Sequence, residues 1–396
     1  MKVFIKGLNT CVMRKQKLTQ YMQYLIDNNH QLVDSPEKSD SILVWTCAFR
    51  SDVRDNSLDQ LELYEKTYDS NIIAAGCMPD ISPDILESRF HGELLPWKDD
   101  SAGMERLFDG NPDKPLDKTV PIFTQEAYCH DAELFRKENP GKDASFHDQF
   151  IKLVVSEGCL YQCAYCSERL AFPPYHSFDL EGLATSCAHL VKKTGRKEVI
   201  LLADSLGQYG RDIGINLVDL LRRLKKVDSN LVFALNNLHC NDVIQFFDEL
   251  FAMVQNGDIC HLNLPIQSGS PQVLKRMNRS YELGDIQRVF EKLNELDFRE
   301  FDTHIIIGFP GETEDDFKQT LDFILRYRPK YVLASKYMDS LDAPAHNLSN
   351  KVEDEVAFKR IREFETQMIK AGILYNSELG ELMRNRLERV NARNEI

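Results

Sequence analysis

Short apolar runs alternate along the chain with stretches in which apolar residues recur every three or four positions. The first kind predicts strands and the second amphipathic helices. Residues 3–6, 41–45 and 71–75 read as strands, with helical spacing at 16–28, 52–67 and 82–90 between and after them. The last stretch opens with Ser82-Pro83, an N-cap followed by proline at the first helical position. This predicts a small Rossmann-like α/β domain over residues 1–97. From 98 to 149 the pattern breaks into polar, punctuated sequence, including Asp109-Gly110-Asn111-Pro112 and Asn139-Pro140-Gly141, which predicts a connector. Strand-like runs resume at 150–155, 198–203, 231–236, 259–265, 303–307 and 331–335, with helical patterns at 180–193, 217–226, 242–254, 283–296 and 314–327. Six strand-then-helix units imply a parallel sheet wound as an open (β/α)6 partial TIM barrel over 150–340, with ligands at the carboxyl ends of its strands. Residues 341–396 read as a helical extension, a charged helix at 353–372 followed by a short Arg/Glu/Leu tail.

Composition adds exclusions. The chain has 396 residues, 43% hydrophobic and 28% charged, which fits a globular protein of two to three domains by the prior of roughly 150 residues each. No run approaches the roughly 18–20 apolar residues that span a bilayer, and the first residues lead into a strand rather than a signal-peptide core, so a cytoplasmic protein without a membrane partner is expected. Net charge is −14, so a nucleic acid would have to be met by a local basic patch. Lys192-Lys193 with Arg196-Lys197, and Arg222-Arg223 with Lys225-Lys226, end predicted helices and read as solvated faces that complement the helix dipole. The 10 cysteines are too few for a disulfide scaffold in a chain of this length and point to metal or redox chemistry.

Their spacing is informative. Cys159, Cys163 and Cys166 form C-x3-C-x2-C directly after the strand at 151–155. Three thiolates there can each take one iron of a cubane, which leaves the fourth iron open to substrate or cofactor. Zinc is the competing reading, but a C-x2-C half-site usually pairs with a second half, and the chain has neither another C-x2-C nor an H-x3-H. Tyr165, just before the last cysteine, suits a loop packed over a cofactor. Cys129, Cys187, Cys240 and Cys260 lack ligand spacing and read as structural; His239-Cys240 and Cys260-His261, if on strands, would point to opposite faces.

The cysteine loop resembles that of the radical S-adenosylmethionine (SAM) superfamily. His261-Leu262-Asn263-Leu264-Pro265-Ile266-Gln267-Ser268-Gly269-Ser270, Val273-Leu274-Lys275-Arg276-Met277-Asn278-Arg279 and Ile306-Ile307-Gly308-Phe309-Pro310-Gly311-Glu312-Thr313 are similar to signatures of its methylthiotransferase branch. Cys11, Cys47 and Cys77 fit the same branch. Each follows a predicted strand of the first domain, so parallel packing would bring all three to one edge, where they would hold a second cluster; three unrelated buried cysteines are the alternative. The resemblance implies a radical SAM core, two 4Fe-4S clusters and SAM as cofactors, a 5′-deoxyadenosyl radical, insertion of sulfur at an unactivated C–H carbon, and a flavodoxin or ferredoxin as electron donor beside a sulfur source. By motif matching, Gln267, Ser268, Ser270, Gly308 and Phe309 are candidate SAM contacts, with ordinary turn roles as the alternative, and Glu312 reads as a helix cap.

Three departures from the family pattern are visible. The twenty residues after Asn376 are too few for the family's C-terminal TRAM β-barrel. Leu170-Ala171-Phe172-Pro173-Pro174-Tyr175-His176-Ser177-Phe178 replaces a basic segment, which predicts a less anion-seeking pocket wall. Ala203-Asp204 replaces the family's usual glycine followed by Gln or Glu, so the contact to the cofactor's amino group is expected either at Asp204 or from elsewhere in the chain. On these grounds a small molecule or peptide is the expected substrate, with a tRNA adenosine-37 methylthiotransferase as the alternative and a non-catalytic iron-sulfur protein as a second one.

Overall fold

The computed structural model describes residues 1–7, 12–49, 51–111, 113–116, 150–341 and 343–377. It divides the chain into two compact units: Met1–Phe150 with Ser167–Tyr175, and Ile151–Cys166 with His176–Ile396. No helix among the described residues is long and apolar enough to cross a membrane.

The first unit is a five-stranded sheet in the order β2-β1-β3-β4-β5, parallel throughout. Its strands are β1 (Lys2–Gly7), β2 (Gln31–Leu32), β3 (Ser41–Thr46), β4 (Asn71–Gly76) and β5 (Glu93–Pro96). Helices α1 (Val12–Asp27), α2 (Ser51–Thr67), α3 (Met78–Ile81), α4 (Pro83–Glu87) and α5 (Asp100–Leu107) connect or flank them. Every residue of β3 is buried, as expected of a parallel strand covered on both faces, and this is why its sequence runs apolar without alternation. The strand order reverses between β1 and β3, the topological switch point of this sheet.

Three features differ from expectation. The polar stretch after residue 97 begins with the helix α5, whose Gly103 and Met104 are buried. β5 has only Leu94 and Leu95 as its apolar pair, too short a signal to separate from a loop. Ser82 does cap α4, but through its backbone carbonyl, which accepts from Leu86 N at 3.0 Å, and not through its side chain.

The second unit is a seven-stranded sheet in the order β14-β13-β12-β11-β10-β9-β6, again parallel throughout. β6 (Ile151–Val154), β9 (Glu198–Leu202), β10 (Val232–Leu235), β11 (Ile259–Asn263), β12 (Phe301–Ile307) and β13 (Tyr331–Lys336) follow in sequence order. Between them lie α6 (Leu180–Thr194), α7 (Leu217–Lys225), α8 (Cys240–Gln245), α9 (Phe247–Gln255), α10 (Pro271–Arg276), α11 (Leu283–Glu295) and α12 (Glu314–Tyr327). Two antiparallel dipeptides, β7 (Ser156–Glu157) and β8 (His176–Ser177), stand apart from this sheet. The edge strands β6 and β14 do not pair, so the sheet is an open partial barrel.

Capping sets the helix ends. Asp179 accepts from Gly182 N at the start of α6, which Gly195 ends in the left-handed region (φ 71°). Thr313 and Asp316 form a capping box on α12. The region after 341, expected to be helical throughout, supplies α13 (Asp354–Ala371) and then β14 (Leu374–Ser377), a seventh strand paired in parallel with β13. The connector from 117 to 149 and the tail after 377 lie outside the described residues.

Candidate metal centres and cofactor site

The C-x3-C-x2-C segment leaves the carboxyl end of β6, and its base is closed by the β7–β8 pairing, Ser156 opposite Ser177 and Glu157 opposite His176. Gly158 takes φ +81° and donates its N–H to Asp204 Oδ2 at 2.8 Å. Leu160 N donates to Gln208 Oε1 at 2.8 Å, and Tyr161 Oη donates to Asp242 Oδ1 at 2.7 Å. The Tyr161 ring stacks on His239, with centroids 3.8 Å apart and planes 14° from parallel. Further along, Asn278 Nδ2 donates to Gln162 O (2.7 Å), Ala164 N to Met277 O (2.9 Å) and Cys166 N to Cys163 O (3.2 Å). A loop held at this many points is preorganised to present its thiols rather than shaped by what they bind.

Burial, helped by the charges of Cys163 and Asp204 and opposed by hydrogen bonds from the Tyr161 backbone and Ser205, pushes the Cys159 thiol up to about 12. Such a thiol gives up its proton to a metal far more readily than to water. Among the described residues no three His, Cys, Asp or Glu groups are gathered on one ion. A cubane does not require that, because each cysteine takes a different iron. Three buried polar atoms around this loop have no hydrogen-bond partner: Ser156 Oγ, His239 Nε2 and Asp242 Oδ2. Unpartnered polar atoms this deeply buried fit a polar ligand at the carboxyl edge of the sheet.

In the first unit, Cys47 and Cys77 each stand one residue past the strands β3 and β4, whose last residues pair as Thr46 and Gly76. Cys77 N donates to Thr46 O at 3.2 Å. The two thiols meet: the hydrogen bond from Cys47 is the largest of the effects that raise the Cys77 thiol well above its ordinary range, followed by burial and by the charge of Cys47, with Arg14 opposing. Cys11 lies outside the described residues, four positions beyond the end of β1, the neighbour of β3. The chemistry of this donor set fits a second cluster as it fits the first.

The motif-matched SAM contacts behave differently. Ser268 and Ser270 are fully buried and internally committed: Ser268 Oγ meets Thr320 Oγ1 at 3.1 Å, and Ser270 Oγ donates to Asp316 and caps α10. Both tie the start of α10 to α12. Gln267 sits in the left-handed region (φ 69°), and its backbone bridges to β12 through His304 O and Ile306 N. Gly308 (φ 81°) leaves room for α13, since a Cβ there would lie 2.9 Å from Ala357 Cβ. Phe309 is fully buried against Tyr337 (5.3 Å, edge-on). The expected close approach of this glycine is thus made by a helix of the chain itself. Asp204 pins the cysteine loop through Gly158. Glu312 does not cap α12; it accepts from Gly308 N (2.7 Å) and Arg360 Nη1 (2.9 Å).

Two more expectations change. Leu170, Ala171 and Phe172 belong to the core of the first unit, with Phe172 edge-on to Trp97 at 5.8 Å, so the aromatic character of that segment is packing and not a pocket wall. His239 is the N-cap of α8 rather than a strand residue beside Cys240. Cys187 and Cys240 are buried core, Cys260 Sγ donates to Phe233 O at 3.4 Å, and Cys129 lies outside the described residues.

Comparison with known proteins decides the family. Residues 153–324 match the Radical SAM superfamily, and residues 2–95 match the Uncharacterized protein family UPF0004. The chain belongs to the radical SAM methylthiotransferase family. It is 28% identical over 314 residues to a probable threonylcarbamoyladenosine tRNA methylthiotransferase of Pyrococcus horikoshii, covering 78% of this chain and 71% of that one. It is 29% identical over 346 residues to the ribosomal protein uS12 methylthiotransferase RimO of Clostridium tetani, covering 84% and 74%. The structure of the radical SAM methyltransferase TsrM from Kitasatospora setae superposes with a TM-score of 0.60 at 13% identity, covering 85% and 74%, a likeness of fold. As a member of this family the chain is a sulfur-inserting radical SAM transferase whose cofactors are SAM and two 4Fe-4S clusters, which sets aside the zinc and non-catalytic readings.

Sequence reasoning missed the residues that hold the cysteine loop: Tyr161, Gln208, His239, Asp242 and Arg279. Arg279 was visible only as the end of a motif. The others follow three different strands, Tyr161 after β7, Gln208 after β9, and His239 and Asp242 after β10, so no single spacing joins them.

Proposed function

We propose that this methylthiotransferase acts on an adenosine of tRNA, the substrate class in the names of several of its relatives, with Cys159, Cys163 and Cys166 holding the radical-generating cluster and Cys11, Cys47 and Cys77 the sulfur-delivering one. The observation that supports the reading is that Cys159, Cys163 and Cys166 follow β6 in one parallel sheet while Cys47 and Cys77 follow β3 and β4 in another. The first cluster, when bound, supplies an electron to SAM and thereby a radical able to take hydrogen from carbon. The chain's own part is to fix that cluster through Gly158, Tyr161 and Ala164, and to offer the unpartnered polar atoms near Cys159 and Tyr161 to the cofactor. A C–H bond of the substrate is replaced by C–S–CH3: the hydrogen leaves with the SAM-derived radical, a separate source supplies sulfur, a second SAM would supply the methyl group, and a flavodoxin or ferredoxin supplies electrons in the cytoplasm.

A second reading, a small molecule or peptide substrate, is favoured by the net charge of −14 and by the pairing of the basic clusters: Arg223 with Glu181 (2.6 Å), Lys225 with Asp258 (2.6 Å) and Lys197 with Asp228.

Anaerobically reconstituted protein should hold about eight irons per chain, falling to about four in Cys159/Cys163/Cys166→Ala. Incubated with SAM, dithionite and total tRNA from cells lacking this protein, the wild type should yield a nucleoside heavier by one methylthio group in place of hydrogen. 5′-Deoxyadenosine formed without any modified nucleoside would favour the second reading, and no 5′-deoxyadenosine at full iron loading would overturn both.

A further inference from the structure

Arg279 lies three residues beyond the end of α10 and is 8% exposed. Four of its five donors are placed. Nε donates to Tyr281 Oη (3.1 Å), Nη2 to Pro265 O (2.6 Å), and Nη1 to both Tyr165 Oη (3.1 Å) and Cys163 Sγ (3.5 Å). Tyr281 Oη is in turn fixed by donating to Ile266 O at 2.8 Å. None of these acceptors is a carboxylate, and among the described residues no carboxylate is ion-paired with this guanidinium. Asp242, whose carboxyl feels the charge of Arg279, makes its ion pair with Arg211 at 3.2 Å. A buried cation without a counter-charge is costly enough that folds rarely keep one. The group within its reach that becomes negative is the Cys163 thiol, once it ligates iron.

We propose that Arg279 is the built-in counter-charge of the radical-generating cluster, a positioning residue that fixes Cys163 and makes the cluster easier to reduce. This rests on the assignment of Cys159, Cys163 and Cys166 as cluster ligands. One-electron reduction by a low-potential donor adds a negative charge to the cluster; a fixed cation donating to one of its sulfurs stabilises the reduced form and raises the potential. Tyr165 shares Nη1 with Cys163, so the same guanidinium also fixes the aromatic residue beside Cys166.

The test uses the full chain carrying Cys47→Ala and Cys77→Ala, so that one cluster remains, and compares Arg279, Arg279→Lys and Arg279→Gln by iron and sulfide content and by EPR-monitored redox titration. In Arg279→Gln at full iron content, the one-electron reduction constant should fall at least tenfold, a midpoint lower by about 59 mV or more. Arg279→Lys, which keeps the charge, should recover most of that shift. Loss of the cluster in Arg279→Gln with retention in Arg279→Lys would also support the assignment, since charge alone separates the two. An unchanged midpoint in a loaded Arg279→Gln variant would overturn it, as would loss of the cluster from both variants, which would make Arg279 a packing residue. If the parent with Arg279 binds no iron, the ligand assignment itself fails, and iron content reports that failure separately from the midpoint.

Discussion

Gly269 shows how a single residue in the Gln-Ser-Gly-Ser motif does its work by being small. A Cβ at this position would lie 2.7 Å from Gln319 O and 2.8 Å from Thr320 Cα, both backbone atoms of α12 that cannot swing aside. The Gly269 N–H meanwhile donates to Thr320 Oγ1 at 2.9 Å. Gly269→Ala should therefore destabilise the second unit by about 1–3 kcal/mol, the usual cost of overpacking. Thermal unfolding would detect this, and an unchanged melting temperature would show that the turn can open without α12. The residue types of this motif were legible in sequence, but their role was not. Serines and a glycine after a strand fit a cofactor loop and a helix-to-helix clamp equally well, and only the positions of Thr320 and Asp316, some fifty residues later, separate the two.

At the scale of elements, the least legible parts were those whose sequence signal is weakest. β5 and β14 are four-residue strands with one or two apolar side chains, and β14 exists because β13 offers it an edge. The long strands, their helices and the C-x3-C-x2-C spacing were read from the chain itself, because covered parallel strands and capped amphipathic helices carry their pattern locally, whereas Cys11, Cys47 and Cys77 stood out only through the family resemblance. α13 carries a testable consequence. Its Arg360 is buried against the equally buried Glu312, which also receives the Gly308 N–H. Burial pushes the Glu312 carboxyl up to about 7, with Gly308 N and Arg360 pulling against it. A carboxyl raised in the fold above its unfolded value of about 4.3 makes the protein less stable as pH rises between the two, and has no further effect above them. Without Arg360 the pull downward weakens, so the window extends past pH 7. Arg360→Met should cost about 3–5 kcal/mol at pH 8, where it strands a buried carboxylate, and clearly less at pH 5.5, where Glu312 keeps its proton. The double variant Arg360→Met/Glu312→Gln should recover much of the loss at pH 8. Denaturant midpoints at the two pH values measure this, and an equal penalty at both would mean that the charge of Glu312 is immaterial.

For the molecule as a whole, charge sets the terms on which a polyanionic substrate can be bound. A net charge of −14 repels RNA at long range, and Arg223, Lys225 and Lys197 of the second unit's basic runs are engaged with Glu181, Asp258 and Asp228. Recognition of a tRNA would have to come from a few phosphate contacts supplemented by contacts to the nucleoside itself. The dependence of affinity on salt counts those phosphates, because log K falls with log[salt] by about 0.9 per phosphate neutralised on duplex B-DNA and about 0.7 on single strands. Proteins that bind through a broad basic surface neutralise roughly six to ten, whereas here the slope should stay near −3 or shallower. Filter binding or fluorescence anisotropy with a labelled anticodon stem-loop between 50 and 300 mM KCl would measure it. A slope steeper than about −5 would reveal a basic surface that the charge balance and the paired clusters give no reason to expect. A shallow slope together with modification of the adenosine would place specificity in the nucleoside and its neighbours, the arrangement suited to an enzyme that must bring one carbon to a radical and has little electrostatic attraction to spend on the rest of the RNA.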